Sequence, residues 1–201
     1  MRTITYTKNL YTFSELSQGA KAKVKQWYLD DASRCDLFYE EIKDFLSENF
    51  LQSKLDVKFS LAYCQGDGLN IFGDLNLFDF IDKWEATEKE KSRMRFYLEN
   101  SNNIFTFDKN NHYCYSCKFI DKKYIDDYIT EKIEELKESE INNINKDTIR
   151  KFYIDMLNCF EALDEEFKKQ GYDFLYEISD EDLADICDAN NYEFDIDGNI
   201  I

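Results

Sequence analysis

Two hydrophobic periods run along this chain, and their order limits the folds open to it. Ile149, Phe152, Met156, Phe160, Leu163 and Phe167 recur at steps of three or four, the stripe of a long helix. Val57, Phe59, Leu61 and Tyr63 alternate strictly with Asp56, Lys58, Ser60 and Ala62, the pattern of a half-buried strand. A sequence that moves between these periods must pack helices against a sheet.

The remaining segments fill in that order. Residues 2–13 read as a strand through Ile4, Tyr6, Leu10 and Phe13. A helix over 15–29 follows, with Ser14 and Ser17 both candidates to cap it and Leu16, Ala20, Val24 and Trp27 on one face. A second helix over 35–50 sets Phe38, Ile42, Phe45 and Leu46 against an acidic side. Gln65, Gly66, Asp67 and Gly68 break the alternation, and Leu69, Ile71 and Phe72 resume it, which predicts a hairpin. A second hairpin is expected over 103–120, turning at Asn110 and Asn111, with a helix over 86–99 between the two. From residue 123 to 189 the chain reads as helical. Asp147 is a candidate cap for the long helix, Gly171 is placed as its stop, and a short acidic helix covers 179–189. Tyr192 to Ile196 reads as a closing strand. The expectation is one α+β domain over 1–201: a mainly antiparallel sheet of two hairpins plus terminal strands, packed with several helices.

At 201 residues the chain can bury most of its unfolded surface without a disulfide or metal staple. Its 17 Phe and 14 Tyr argue against disorder despite the charge. Neither a secretory leader nor a run of about eighteen apolar residues is present, so a cytoplasmic protein that binds no membrane is expected. In that compartment the six cysteines are reduced thiols, and Cys35, Cys159 and Cys187 read as small helical core residues.

Few constellations suit catalysis. His112, Cys114 and Cys117 form the one metal-like cluster. They hold a single Cys-x-x-Cys pair in a β-patterned run, where the two thiols face opposite ways, so no metal site is assigned. His112 is the sole histidine and has no nucleophile at a known spacing. The Gln65–Gly68 turn leads into a strand, not a helix, and is no phosphate loop. Asp195, Asp197 and Asn199 resemble part of a calcium loop without its twelfth-position glutamate. No cofactor and no enzymatic activity are expected.

Charge is the feature that stands out. The chain has 42 acids against 25 bases, a formal net charge of -17, which repels nucleic acid and attracts basic surfaces. One acidic strip is Asp36, Glu40, Glu41, Asp44 and Glu48. A second lies in the C-terminal stretch, where Lys and Arg are absent from Gln170 onward: Asp173, Glu177, Asp180, Glu181, Asp182, Asp185 and Asp188. Carboxylates one helical turn apart approximate the repeat of backbone phosphates. Such strips suit the Lys/Arg groove of a nucleic-acid-binding protein. A solvated helix face has the same composition.

Three segments carry a resemblance: TYTKNLYTFSELSQGAKAKVKQWYLDD, DVKFSLAYCQGDGLNIFG and LADICDANNYEFDIDGNII. In this order they resemble a widespread group of small bacteriophage and prophage proteins with a YxFxELSxxAK opening, a QGDG hairpin and an ANxYxFxxDG ending. The matching positions are Phe13, Glu15, Leu16, Ser17, Ala20 and Lys21; Gln65, Gly66, Asp67 and Gly68; Ala189, Asn190, Tyr192, Phe194, Asp197 and Gly198. The likeness spans nearly the whole chain, and residues 100–160, rich in Cys and Asn, depart from it. It implies structural roles for the motif residues and carries over no catalytic residue. It also implies an anti-defence protein acting in the host cytoplasm, one that binds and inhibits a nucleic-acid-targeting effector such as a CRISPR nuclease. The alternatives are an antitoxin-like or structural accessory protein of a mobile element, or an enzyme acting on nucleic acid or nucleotide signals.

Overall fold

A computed structural model describes residues 1–2, 7–108, 125–134 and 146–201. The chain is α+β, and its described residues form helices and a three-stranded antiparallel sheet. It divides into two compact units, Met1–Phe38 with Tyr172–Ile201, and Tyr39–Gly171. The division falls inside two helices, α2 (Ser33–Asn49) and α6 (Lys146–Tyr176).

The first unit joins the two ends of the sequence. A 3₁₀ turn, Phe13–Glu15, leads into α1 (Gln18–Leu29), and α7 spans Asp180–Ala189. Ser17, not Ser14, caps α1, its hydroxyl accepting the Ala20 N–H. Phe13, Leu16, Ala20 and Val24 meet Leu183, Cys187 and Phe194 in a small apolar core. The expected terminal strands are absent from the described residues. Residues 7–10 and 195–199 are irregular, and the extended pairing shrinks to isolated bridges, Tyr11 to Phe194 and Phe194 to Ile200. Phe194 alone needs burial there, and one bridge each side secures it; residues 3–6 lie outside the described residues. Gly198 closes the ending at φ +77°, where an added Cβ would stand 2.7 Å from the Ala20 carbonyl oxygen.

In the second unit β1 (Lys54–Ser60) and β2 (Gly68–Asn76) form the expected hairpin, with Val57 opposite Ile71 and Ser60 opposite Gly68. β2 is the central strand and also pairs with β3 (Ile104–Phe107). Leu69, Asn70 and Ile71 are therefore buried in succession, as a strand covered on both faces requires. The second arm of the other hairpin lies outside the described residues. α3 (Leu77–Ile81) starts where the Asn76 side chain accepts the Phe78 N–H at 3.0 Å. α4 (Glu88–Glu99) starts on a capping box of Thr87 and Glu90. α5 covers Ile125–Glu134, and Ile129 within it is buried. The part of α6 within this unit supplies the core's spine. Phe152 meets Phe80 at 5.3 Å and Trp84 at 5.1 Å, and Phe160 meets Phe50 at 5.2 Å and Phe107 at 4.6 Å between ring centres. These aromatic pairs add to the transfer energy of burying large rings.

Gly171 does not stop α6, which runs on to Tyr176. The residue is buried and falls on the helix's inner face, four positions after Phe167 and four before the buried Leu175. One glycine in a helix costs about 1 kcal/mol relative to alanine, and the apolar contacts on either side outweigh it. Cys35 is exposed, against expectation: it shares the side of α2 that carries Phe38, Ile42 and Leu46 but sits in the helix's first turn, before that side is covered; Cys187 is buried and Cys159 partly so.

Candidate functional site

The motif residues that carry the sequence resemblance have local tasks. Glu15 accepts the Thr12 N–H at 2.9 Å. The Lys21 ammonium lies 5.4 Å from the centre of the Phe13 ring. Asn190 donates its amide to the Ile186 carbonyl at 2.8 Å, and Tyr192 meets Trp27 edge to face at 5.6 Å. The opening and ending of the sequence thus build one small unit together.

Gln65, Gly66, Asp67 and Gly68 act as a turn. Asp67 Oδ2 accepts the Ala62 and Cys64 N–H groups at 2.8 and 3.1 Å, pinning a loop in which Tyr63 takes φ 54° and Gly66 φ 110°. Gly68 has no special backbone and begins β2. The Cys64 thiol hydrogen bonds Asp67 Oδ1, which pushes its pKa up and leaves it a poor nucleophile.

A cleft of about 420 Å³ in the second unit is lined by Phe80, Lys83, Trp84, Glu85, Asp155, Asn158 and Cys159. The Trp84 indole N–H donates to Asp155 Oδ2 at 2.8 Å, so that carboxylate helps hold the core ring. Burial pushes the Cys159 thiol up, and the nearby Lys83 only partly offsets this. The cleft therefore presents no activated thiolate. Among the described residues, no group of three or more His, Cys, Asp or Glu is placed to hold a metal ion, and no helix is long and apolar enough to cross a membrane. His112, Cys114 and Cys117 lie outside the described residues.

The acidic positions fall on two helix faces. On α2, Asp36, Glu40, Asp44 and Glu48 succeed each other at steps of four, with Glu41 beside them, and all are exposed. The helix advances about 6 Å per four residues, so Glu40, Asp44 and Glu48 form a regular row within the second unit. Asp36 belongs to the first unit and the other four to the second. None of the five forms an ion pair among the described residues. Within the second unit the row borders exposed Phe45, whose ring packs edge-on against Phe167 at 5.1 Å, and Leu51 lies exposed just past the helix.

α2's neighbouring flank is tied to the sheet. Tyr39 Oη donates to Asp56 Oδ1 at 2.8 Å, and Lys43 Nζ lies 3.3 Å from the same oxygen. Partial burial alone would raise the Asp56 pKa. Hydrogen bonds from Tyr39 and the Val57 N–H, with the Lys43 charge, overcome that and lower it.

In the first unit, Asp180, Glu181, Asp182, Asp185 and Asp188 ring the outer side of α7, while Leu183 and Cys187 face the core. Asp173 and Glu177 are exposed as well. Three of these acids sit in the first turn of α7, where the helix dipole favours them. Asp182 also accepts the Ser179 hydroxyl at 2.6 Å and returns its own N–H to that oxygen at 3.0 Å.

Sequence reasoning missed Arg34. It is buried, with its guanidinium 4.4 Å from the Tyr28 ring centre and 4.8 Å from that of Phe174, and it donates to the Phe174 carbonyl. Phe174 in turn stacks on Phe38. The signal was weak, because Phe174 lies 140 residues away in sequence. Comparisons with protein-family models, curated proteins and solved structures each found no match.

Proposed function

We propose that this chain is a binding inhibitor of a nucleic-acid-targeting effector, such as a CRISPR nuclease, encoded by a phage or a related mobile element. On this reading it offers carboxylate rows in place of backbone phosphates and occupies the effector's basic channel in the cytoplasm of the host. The observation that carries the reading is the α2 row: evenly spaced exposed acids that form no ion pair among the described residues, beside exposed apolar side chains. Carboxylates steer the encounter, and apolar anchors supply affinity at the centre of such a contact. α7 offers a second acidic face. The chain itself, at a net charge of -17, is not expected to bind nucleic acid.

The test is competition. Purified protein should release DNA or RNA from its effector in a stoichiometric and strongly salt-dependent manner. Reversing Glu40, Glu41, Asp44 and Glu48 to Lys should abolish that competition. Inhibition retained by the reversed protein would exclude mimicry by this row, and turnover at substoichiometric protein would exclude a binding inhibitor altogether.

A further inference from the structure

A shallow groove in the first unit, at the end of α1, is lined by Lys23, Gln26, Trp27, Asp30, Asp31 and Ala32. Trp27 lies on the same helical side as Ala20 and Val24, but the core ends before reaching it, and 41% of its surface is exposed. Its ring is held in place by the edge-to-face contact with Tyr192, interplanar angle 88°. Two carboxylates stand beside it with one oxygen of each already engaged. Gln26 donates to Asp30 Oδ1 at 2.7 Å, and the Ser33 N–H donates to Asp31 Oδ1 at 2.9 Å. Ser33 also bonds the Asp31 carboxylate through its side chain, which helps lower the Asp31 pKa, while Asp30 Oδ2 makes no hydrogen bond to the described residues. The groove's own cation, Lys23, is turned to the Asn199 side-chain oxygen.

We infer that this groove is a docking site for an arginine side chain of a basic protein partner, its guanidinium stacked on Trp27 and paired with Asp30 and Asp31. A planar guanidinium can stack on an indole and donate in-plane to carboxylates at once, whereas an ammonium offers only a point charge. The unit already holds one guanidinium in this manner, Arg34 between Tyr28 and Phe174. Charge complementarity selects the occupant, since the face carries a fixed aromatic plate and two oriented anions. An exposed, ordered tryptophan is also the residue type most often found at the energetic centre of an interface. The inference rests on the proposal that the partner is basic. It does not require that the partner handle nucleic acid.

The experiment uses the full chain labelled with ¹⁵N and follows its two indole signals. Trp84, buried and bonded to Asp155, serves as the internal reference for folding. The probes are blocked tripeptides with a central arginine, lysine or citrulline, titrated at about 0.15 M salt so that diffuse attraction is screened. The arginine peptide should move the Trp27 signal and leave Trp84 in place. The lysine peptide should bind roughly tenfold more weakly, and the citrulline peptide not measurably. Asp30→Asn with Asp31→Asn should weaken the arginine response roughly tenfold with the Trp84 signal unchanged. An unmoved Trp27 signal, equal responses to arginine and lysine, or a full response in the double variant would each overturn the inference. A protein neutralised at Glu40, Glu41, Asp44 and Glu48 separates this site from the proposed function. It should keep the arginine response whether or not it still competes for a nucleic-acid channel, so either idea can fail without the other.

Discussion

The acidic faces of α7 and α2 have nearly the same composition, yet the fold asks different things of them. On α7 three acids occupy the first turn, where unsatisfied N–H groups favour negative charge, and Asp182 completes the Ser179 cap. Much of that acidity has a structural reason. On α2 only Asp36 is in the first turn, and the row continues through Glu40, Asp44 and Glu48 with no base in the last turn to offset it. Like charges four apart on a helix repel by a few tenths of a kcal/mol per pair. The α2 row thus costs the fold a little, while the α7 face partly supports it. Charge that a fold bears without using is the better candidate for recognition, and this ranks α2 ahead of α7 as the contact surface of the proposed inhibitor.

Substitutions can break or sharpen that contrast. The largest effects belong to the inner faces: Ile42→Ala on α2 and Leu183→Ala on α7 should each cost about 2–5 kcal/mol in urea unfolding, because both side chains are fully buried. Comparable losses would show that both helices are held by apolar contacts, with the acids as passengers. Ser179→Ala should then cost about 1 kcal/mol through loss of the α7 cap. A loss of that size in the quadruple neutralisation of α2 would erase the distinction.

The flank of α2 that does serve the fold should reveal itself by pH. Hydrogen bonds and Lys43 hold the Asp56 pKa below its ordinary value. Its contribution is accordingly present above the unfolded-state pKa, near 4, and is lost as pH falls through the lower folded-state value. Asp56→Asn should destabilise by about 1 kcal/mol or less at neutral pH, since the pair is partly exposed. The gap from wild type should shrink as the solution is acidified toward pH 3, and a gap that widened on acidification would reverse the sign argued here. The smallest effect falls on the row itself. Glu40→Gln, Glu41→Gln, Asp44→Asn and Glu48→Gln together should leave stability unchanged or raise it by a few tenths of a kcal/mol, read from the same denaturation curves.

Much of this architecture was legible because hydrophobic period survives wherever an element is long and has one buried face. α2, α4, α6 and β1 are of this kind. The short α3 was not legible: Leu77, Phe78, Phe80 and Ile81 form a nearly continuous apolar run with too few turns to show a period, and the Asn76 cap is its one local signal. The terminal strands were misread because Tyr192, Phe194 and Ile196 alternate with polar neighbours although Phe194 alone of the three is buried, and because Leu10, which is exposed, was joined with Phe13 into one apolar run. Gly171 misled because local propensity yielded to burial on both sides. For the candidate surfaces, exposure of the acids could be read from the sequence, since unpaired carboxylates stay in water. Which acids serve a cap, and that Trp27 sits in a groove while Arg34 is buried between rings, depends on residues distant in sequence.

The central claim is that the α2 row is kept for binding. The most direct measurement pairs two readouts on wild type and the Glu40→Gln, Glu41→Gln, Asp44→Asn, Glu48→Gln protein: urea unfolding, and displacement of nucleic acid from a panel of purified host effectors that includes CRISPR nuclease ribonucleoproteins. The account predicts that wild type displaces nucleic acid from at least one effector, and that the neutralised protein is equally stable yet at least roughly tenfold weaker. Full displacement by the neutralised protein, or no displacement by wild type from any effector in the panel, would contradict it.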